Sequence, residues 1–193
     1  MTTVLRFNSH VDRLIVTTVA LINRLTPGHD GGRPVQVPAG RHLVDTIAET
    51  VAVEGYPGRT TQAQAEDLLP WVQRARTVIE ALTAGEQASA ADEVNRMLAD
   101  SGARPQLDAD HDGVNRLHFH GPDDSFARGW AAGIAAGLAM AIGGDLGHRL
   151  GTCQAPGCDR VWVDLSRNTH RRFCSTRCQN RVKAAAHRHR HQG

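Results

Sequence analysis

Residues 10–25 (HVDRLIVTTVALINRL) place Leu14, Ile15, Thr18, Leu21, Ile22 and Leu25 at helical spacing, which predicts an amphipathic helix. Pro27, Gly28, Gly31, Gly32, Pro34, Pro38 and Gly40 break the pattern over 26–40, which reads as a loop. A helix follows over 41–53, and Gly55-Tyr56-Pro57-Gly58 reads as a turn. Thr60 or Thr61 suits the cap of a helix running to about Leu69. Pro70 then marks a kink, or the first turn of a new helix over 70–83 carrying Trp71, Ala75, Val78, Ile79 and Leu82. Another helix is predicted over 89–100, stopped by Gly102. Residues 104–107 and 114–120 read as two short strands of a hairpin around Asp112-Gly113. The most apolar helix covers 123–148, with Asp123, Asp124 or Ser125 at its start. Gly129, Gly133 and Gly137 recur every four residues along it and leave one face bare. That face suits close packing inside the core, with contact across a homodimer as the alternative. Gly143-Gly144 ends or breaks this helix.

Past residue 148 the pattern changes. All four cysteines lie here, as Cys153-x4-Cys158 and, fifteen residues on, Cys174-x3-Cys178. Arg160 to Asp164 alternates as a strand does, 165–170 is a polar turn, and Arg171-Arg172-Phe173 reads as a returning strand. Ser175 and Thr176 suit the start of a helix running to about His189. Two close cysteine pairs can bring four thiolates to one tetrahedral ion, and zinc prefers such closed structural sites at about 2.3 Å. Paired disulfides or free thiols are the alternatives. The start, MTTVLRFNSHVDRL, lacks a signal-peptide pattern, which counts against disulfides. A cysteine knuckle, a hairpin and a helix whose first turn carries the last ligand describe a treble-clef finger. The expected fold is therefore a mainly α domain with a small β-hairpin (α+β) over 1–148, followed by a treble-clef-like zinc finger over 149–193. One structural Zn2+ is expected, on Cys153, Cys158, Cys174 and Cys178.

With 193 residues, 40% hydrophobic and 22% charged, the composition is that of a folded globular chain. The longest apolar run, 130–142, falls short of the roughly 20 residues that cross a bilayer. A cytoplasmic protein without membrane partners is expected. The net charge of +2 hides an asymmetry: residues 1–150 carry −5 and residues 151–193 carry +7. Four thiolates with zinc reduce the second figure to about +5. Arginine richness also follows from a GC-rich genome, so composition alone does not assign a partner.

On a helical wheel Cys178, Val182, Ala185 and His189 face the metal. Arg177, Arg181 and Arg188 form one flank and Lys183 and Arg190 the other, with Asn180 and His187 outward between them. No acid follows Asp164. Arg167, Arg171, Arg172, Arg177, Arg181, Lys183, Arg188 and Arg190 are candidate phosphate contacts on DNA, with RNA as the alternative. Asn180 is a candidate for an adenine edge, or a brace for a turn. Docking on the acidic body, or on another protein, is the competing use of the same charges. Trp71, Trp130 and Trp162 read as core. His118 and His120 share a strand face but lack a third metal ligand. No catalytic set can be assembled: a treble-clef nuclease would need partners for His170 that the pattern does not supply, and neither a phosphate loop nor a Ser-His-Asp order stands out. No enzyme is expected.

These residues resemble the CGNR zinc-finger proteins, bacterial proteins with an N-terminal domain called ABATE. The matching stretches are Cys153 to Cys158, Trp162-Val163-Asp164, Ser166-Arg167-Asn168, Arg171-Arg172-Phe173-Cys174 and Lys183. The signature itself reads Cys178-Gln179-Asn180-Arg181, with Gln179 in place of glycine. Position 179 lies beside the basic flanks rather than on the metal face, so zinc binding is expected to survive the exchange. The resemblance is close over 150–190 and looser over 40–148. It implies a sensory or stress-response N-terminal domain, open to a small-molecule effector, in a transcription regulator.

Overall fold

The computed structural model describes residues 9–52, 60–109, 113–123 and 125–191. The expected turn at Gly55-Tyr56-Pro57-Gly58, and the expected roles of Asp112 and Asp124, lie outside the described residues. The chain is mostly helical with small antiparallel strand pairs. The first part runs α1 (Ser9–Leu25), β1 (Gly28–Asp30), β2 (Arg33–Val35), α2 (Gly40–Val51), α3 (Gln62–Ala84) and α4 (Gln87–Ser101). Then come β3 (Arg104–Ala109), β4 (Asn115–His120) and α5 (Phe126–Gly143). A 3₁₀ turn at Gly147–Arg149 leads into β5 (Leu150–Thr152), β6 (Val161–Val163) and α6 (Thr176–His191).

Helices α1, α3 and α5 pack together, with α2 and α4 against α3. Ile15, Leu21, Ile22, Leu43, Ile47, Leu68, Ile79, Met97, Ile134 and Leu138 are among the fully buried large side chains of this core. The bare face of α5 is used inside this core. A Cβ on Gly133 or Gly137 would stand 3.3 Å from Leu14 or Ile15 of α1, so the missing side chains admit that helix. α5 is long and apolar enough to cross a membrane, yet 67% of it is buried here, and its apolarity follows from its central place.

Pro70 does not start a new helix over 70–83; α3 is continuous through it. The proline faces solvent, where water can satisfy the Glu66 carbonyl that loses its helical partner. Leu68, Val72, Ala75, Val78, Ile79 and Leu82 meanwhile hold the opposite face in the core. Thr61 opens the helix with a reciprocal capping box to Gln64. The supposed loop at 26–40 contains the β1–β2 hairpin. Its turn is Asp30-Gly31-Gly32-Arg33, with φ of +62° and +87° at the two glycines. Only a type I′ turn places two successive residues there, and glycine enters that region without steric cost.

Two further expectations are corrected. The apolar helix ends at Gly143, not 148. Arg171-Arg172-Phe173 is not a strand. Strand β6 pairs instead with β5, as Leu150↔Val163, Gly151↔Trp162 and Thr152↔Val161, so the first cysteine pair lies within this hairpin's loop. Asp164 explains the difference. Its carboxylate accepts from the Arg171 N–H (2.9 Å) and from the Ser166 N–H and hydroxyl, which closes 164–171 into a compact loop.

The β5–β6 hairpin shares the main core: Leu150, Val161 and Val163 are buried in the same cluster as the helices. The Asn23 carboxamide pairs with both the N–H and the C=O of Val161, at 2.8 and 2.9 Å. Arg160 is 3% exposed and donates to the carbonyls of Asn23, Thr26 and Pro27. Those carbonyls lie at and beyond the C-terminal end of α1, where helical partners run out and a cation is favoured.

Candidate metal centre and basic helix

Each cysteine is fixed by a local device. Cys153 directly follows β5 and its N–H donates to the Arg160 carbonyl. Cys158 closes a turn onto Ala155 through Gly157, whose φ is +66°. Cys174 precedes α6, and Cys178 lies in its first turn. There Ser175 Oγ accepts from the Cys178 N–H (3.3 Å), as an N-cap does. The helix dipole adds favourable potential at that end.

The four Sγ atoms lie within 4.8 Å of one another. Cys158–Cys174 and Cys158–Cys178 are 3.7 Å apart, and Cys174–Cys178 is 3.8 Å. A tetrahedron with zinc–sulfur bonds of about 2.3 Å has sulfur–sulfur edges of about 3.8 Å. No cysteine is disulfide-bonded. The electrostatics point the same way. Burial, together with the neighbouring sulfurs, pushes the Cys174 thiol well above its ordinary range, and burial pushes Cys178 up as well. Burial also pushes Cys158 up, but N–H donors from Arg160 and Gly31 outweigh it and the net direction is down. A divalent cation is what allows such crowded sulfurs to ionise together. The residues fit one zinc ion held by Cys153, Cys158, Cys174 and Cys178, whose role is to cross-link the knuckle to α6.

The predicted phosphate contacts divide into two sets. Arg171 is spent on the protein: it donates to the carbonyls of Val163, Phe173 and Cys174. Arg177 forms an ion pair with Asp30 of the β1–β2 turn. Arg181 donates to the Pro156 carbonyl at 2.6 Å. Arg167, Arg172, Lys183, Arg188 and Arg190 are exposed, and no carboxylate among the described residues pairs with them. Asn180 is exposed too. A groove of about 640 Å³ runs between His170–Phe173 and α6, with Arg172 on one wall, Lys183 on the other and Val182 among its lining. None of its lining residues is acidic.

Other candidates lead elsewhere. His120 bonds the Asp108 carboxylate at 2.6 Å, and neither His118 nor His120 joins a metal-competent cluster among the described residues. Trp162 is buried, its ring against Gly151 and its N–H on the Thr152 carbonyl. The pattern reading missed Asp30 and Gly31, which reach the finger from 120 or more residues upstream. Their signal was the Gly31-Gly32 pair, a I′ turn signature within a stretch read only as a breaker.

Residues 42–145 match the ABATE family, described as "Putative stress-induced transcription regulator", and residues 149–191 match the CGNR zinc finger. The chain belongs to the ABATE family. It carries a CGNR zinc finger at its C-terminal side. No curated protein matches it. Both are regulator and zinc-finger families rather than enzyme families. The β1–β2 hairpin precedes both matched regions, although it touches the CGNR finger directly.

Proposed function

We propose that this ABATE protein is a cytoplasmic, zinc-dependent transcription regulator whose CGNR finger binds duplex DNA. The observation that carries the reading is the open basic face. Arg172 and Lys183 stand on opposite walls of an acid-free groove, continued by the exposed Arg188 and Arg190, with Arg167 on the preceding loop. Unpaired cations on a surface without counter-charges are the electrostatic footprint of a polyanion site. Asn180 is the outward polar residue placed to approach a base edge. Zinc acts only as the cross-link that holds the groove's two walls together.

The test is binding of the zinc-loaded protein to random-sequence duplex DNA across a salt series. The control carries all four cysteines as serine. Five free cations set a ceiling of about 4.5 on the slope of log affinity against log salt, at roughly 0.9 per phosphate contact. Arg172→Ala with Lys183→Ala is expected to lower the slope by about 1.8. Absence of zinc-dependent binding at low salt would overturn the reading and leave a protein partner as the use of this face.

A further inference from the structure

The two flanks of α6 differ in one respect that the sequence conceals. One is open; on the other the chain itself covers Arg177 and Arg181 and leaves Arg188 exposed. Asp30 pairs with Arg177, and its carboxylate also lies 4.0 Å from Cys158 Sγ. Arg181 Nη1 lies 3.3 Å from where a Cβ on Gly31 would stand, so the second arginine of this flank lies against the same turn.

The hairpin is anchored to the knuckle by more than that pair. The His29 N–H donates to both oxygens of Asp159, at 3.0 and 3.1 Å, and the Asp159 N–H returns to the His29 carbonyl. The Gly32 N–H donates to the Gly157 carbonyl at 2.6 Å. A Cβ on Gly28 would stand 2.2 Å from the Asp159 carboxylate, so only glycine lets the strand approach this closely. A carboxylate on a guanidinium uses the same donors that a phosphate would use.

We propose that the β1–β2 hairpin is an intramolecular competitor for DNA: Asp30 takes the place of a phosphate on Arg177 and keeps the Arg177–Arg181 flank closed. The inference rests on the reading of the finger as a DNA-binding module and adds its regulation. The hairpin leaves α1 directly and is bonded through Arg76 and Asp159 to α3, so a rearrangement of the helical body can withdraw it. Withdrawal adds up to two cations to the five that are already open.

The test compares wild type, Asp30→Asn, Arg177→Ala and the double variant, each zinc-loaded and full length, on the same duplex and salt series. Zinc content is measured beside each by release to a chromophoric chelator. Asp30→Asn is expected to bind roughly threefold to tenfold tighter at low salt and to steepen the slope by about 0.9, one added phosphate contact. Arg177→Ala is expected to match wild type within about twofold and to abolish the gain in the double variant. Should Asp30→Asn lose zinc, Asp30→Ser takes its place in the comparison, and severalfold weakening by Arg177→Ala still overturns the closed flank. DNA binding by wild type that Arg177→Ala weakens severalfold, or that Asp30→Asn leaves unchanged with zinc retained, overturns the closed flank while the DNA-binding reading stands. No binding by any of the four at low salt overturns both.

Discussion

Among the described residues, the helical body completely buries many large side chains, Ile15, Leu68, Ile79 and Leu138 among them. Among the described residues, the cluster around the knuckle buries Cys153, Ala155 and Cys178, with Cys158, Cys174, Phe173 and Val182 partly covered. Fully burying one Leu or Ile is worth about 1.5–3 kcal/mol, so apolar burial is a large stabilising contribution in the body. The knuckle has no such area, and its order depends on four metal bonds. The line between the two regimes does not follow the family boundary. Strands β5 and β6 lie inside the CGNR match, yet their Leu150, Val161 and Val163 belong to the body's core. The 153–158 turn, the segment after the Asp164-closed loop and α6 are the parts expected to depend on zinc.

The largest effect that would sharpen this contrast is at a ligand. Cys174→Ser is expected to abolish tight zinc binding, since structural zinc contributes about 10–16 kcal/mol of apparent binding energy in small fingers. Residues 164–191 then lose fixed structure while the body, with β5–β6, keeps a cooperative thermal transition. Zinc stoichiometry and circular dichroism read the two halves separately. One equivalent of tightly held zinc in the variant would break the four-thiolate centre.

A middle effect is expected where the regimes meet. Arg160→Met removes a buried cation and leaves carbonyls at the end of α1 without their donor, at a cost of about 2–4 kcal/mol in denaturant unfolding. The variant also tests a pH dependence. Burial raises the Asp159 pKa, but Arg160, the His29 N–H and Arg76 outweigh it and hold the carboxyl below its ordinary value. A depressed folded pKa contributes stability above the unfolded value near 4, and that stability is lost as pH falls through the folded value. The acid limb of wild-type stability is therefore expected to flatten in Arg160→Met. An unchanged limb would show that the coupling runs through other groups.

The smallest effect belongs to the body alone. Thr61→Ala removes the capping box of α3 and is expected to cost about 1 kcal/mol. Zinc release should not change, because nothing in the cap touches the knuckle. Faster zinc release in that variant would mean that the two regions are less separable than their cores suggest.

Much of the body was legible because apolar periodicity is a local signal. Leu14 to Leu25, Trp71 to Leu82 and the 89–100 stretch each announce a helix, and Gly102 its end. The cysteine spacing announced the metal centre for the same reason: chemistry confined to a few residue types at short separations. That α3 runs on through Pro70 was not legible, because a proline's cost depends on whether solvent reaches the freed carbonyl, which no local pattern records. The partner of β6 was misread because the Asp164 and Arg171 bonds, and the register of Leu150 on Val163, are made across the fold.

By itself the sequence determined the helix order, the four sulfur ligands, the excess of positive charge after residue 150 and the glycine face of α5. Each of these depends on residue type and spacing along the chain. Tertiary structure alone decided what those features meet: Leu14 and Ile15 against the glycines, Arg160 on the end of α1, and Asp30 on Arg177. A wheel drawn on α6 made Arg177 and Arg188 equivalent, because both lie on one flank of one helix. Only the approach of a hairpin nearly 150 residues upstream in the chain gives the first a carboxylate partner and leaves the second to solvent.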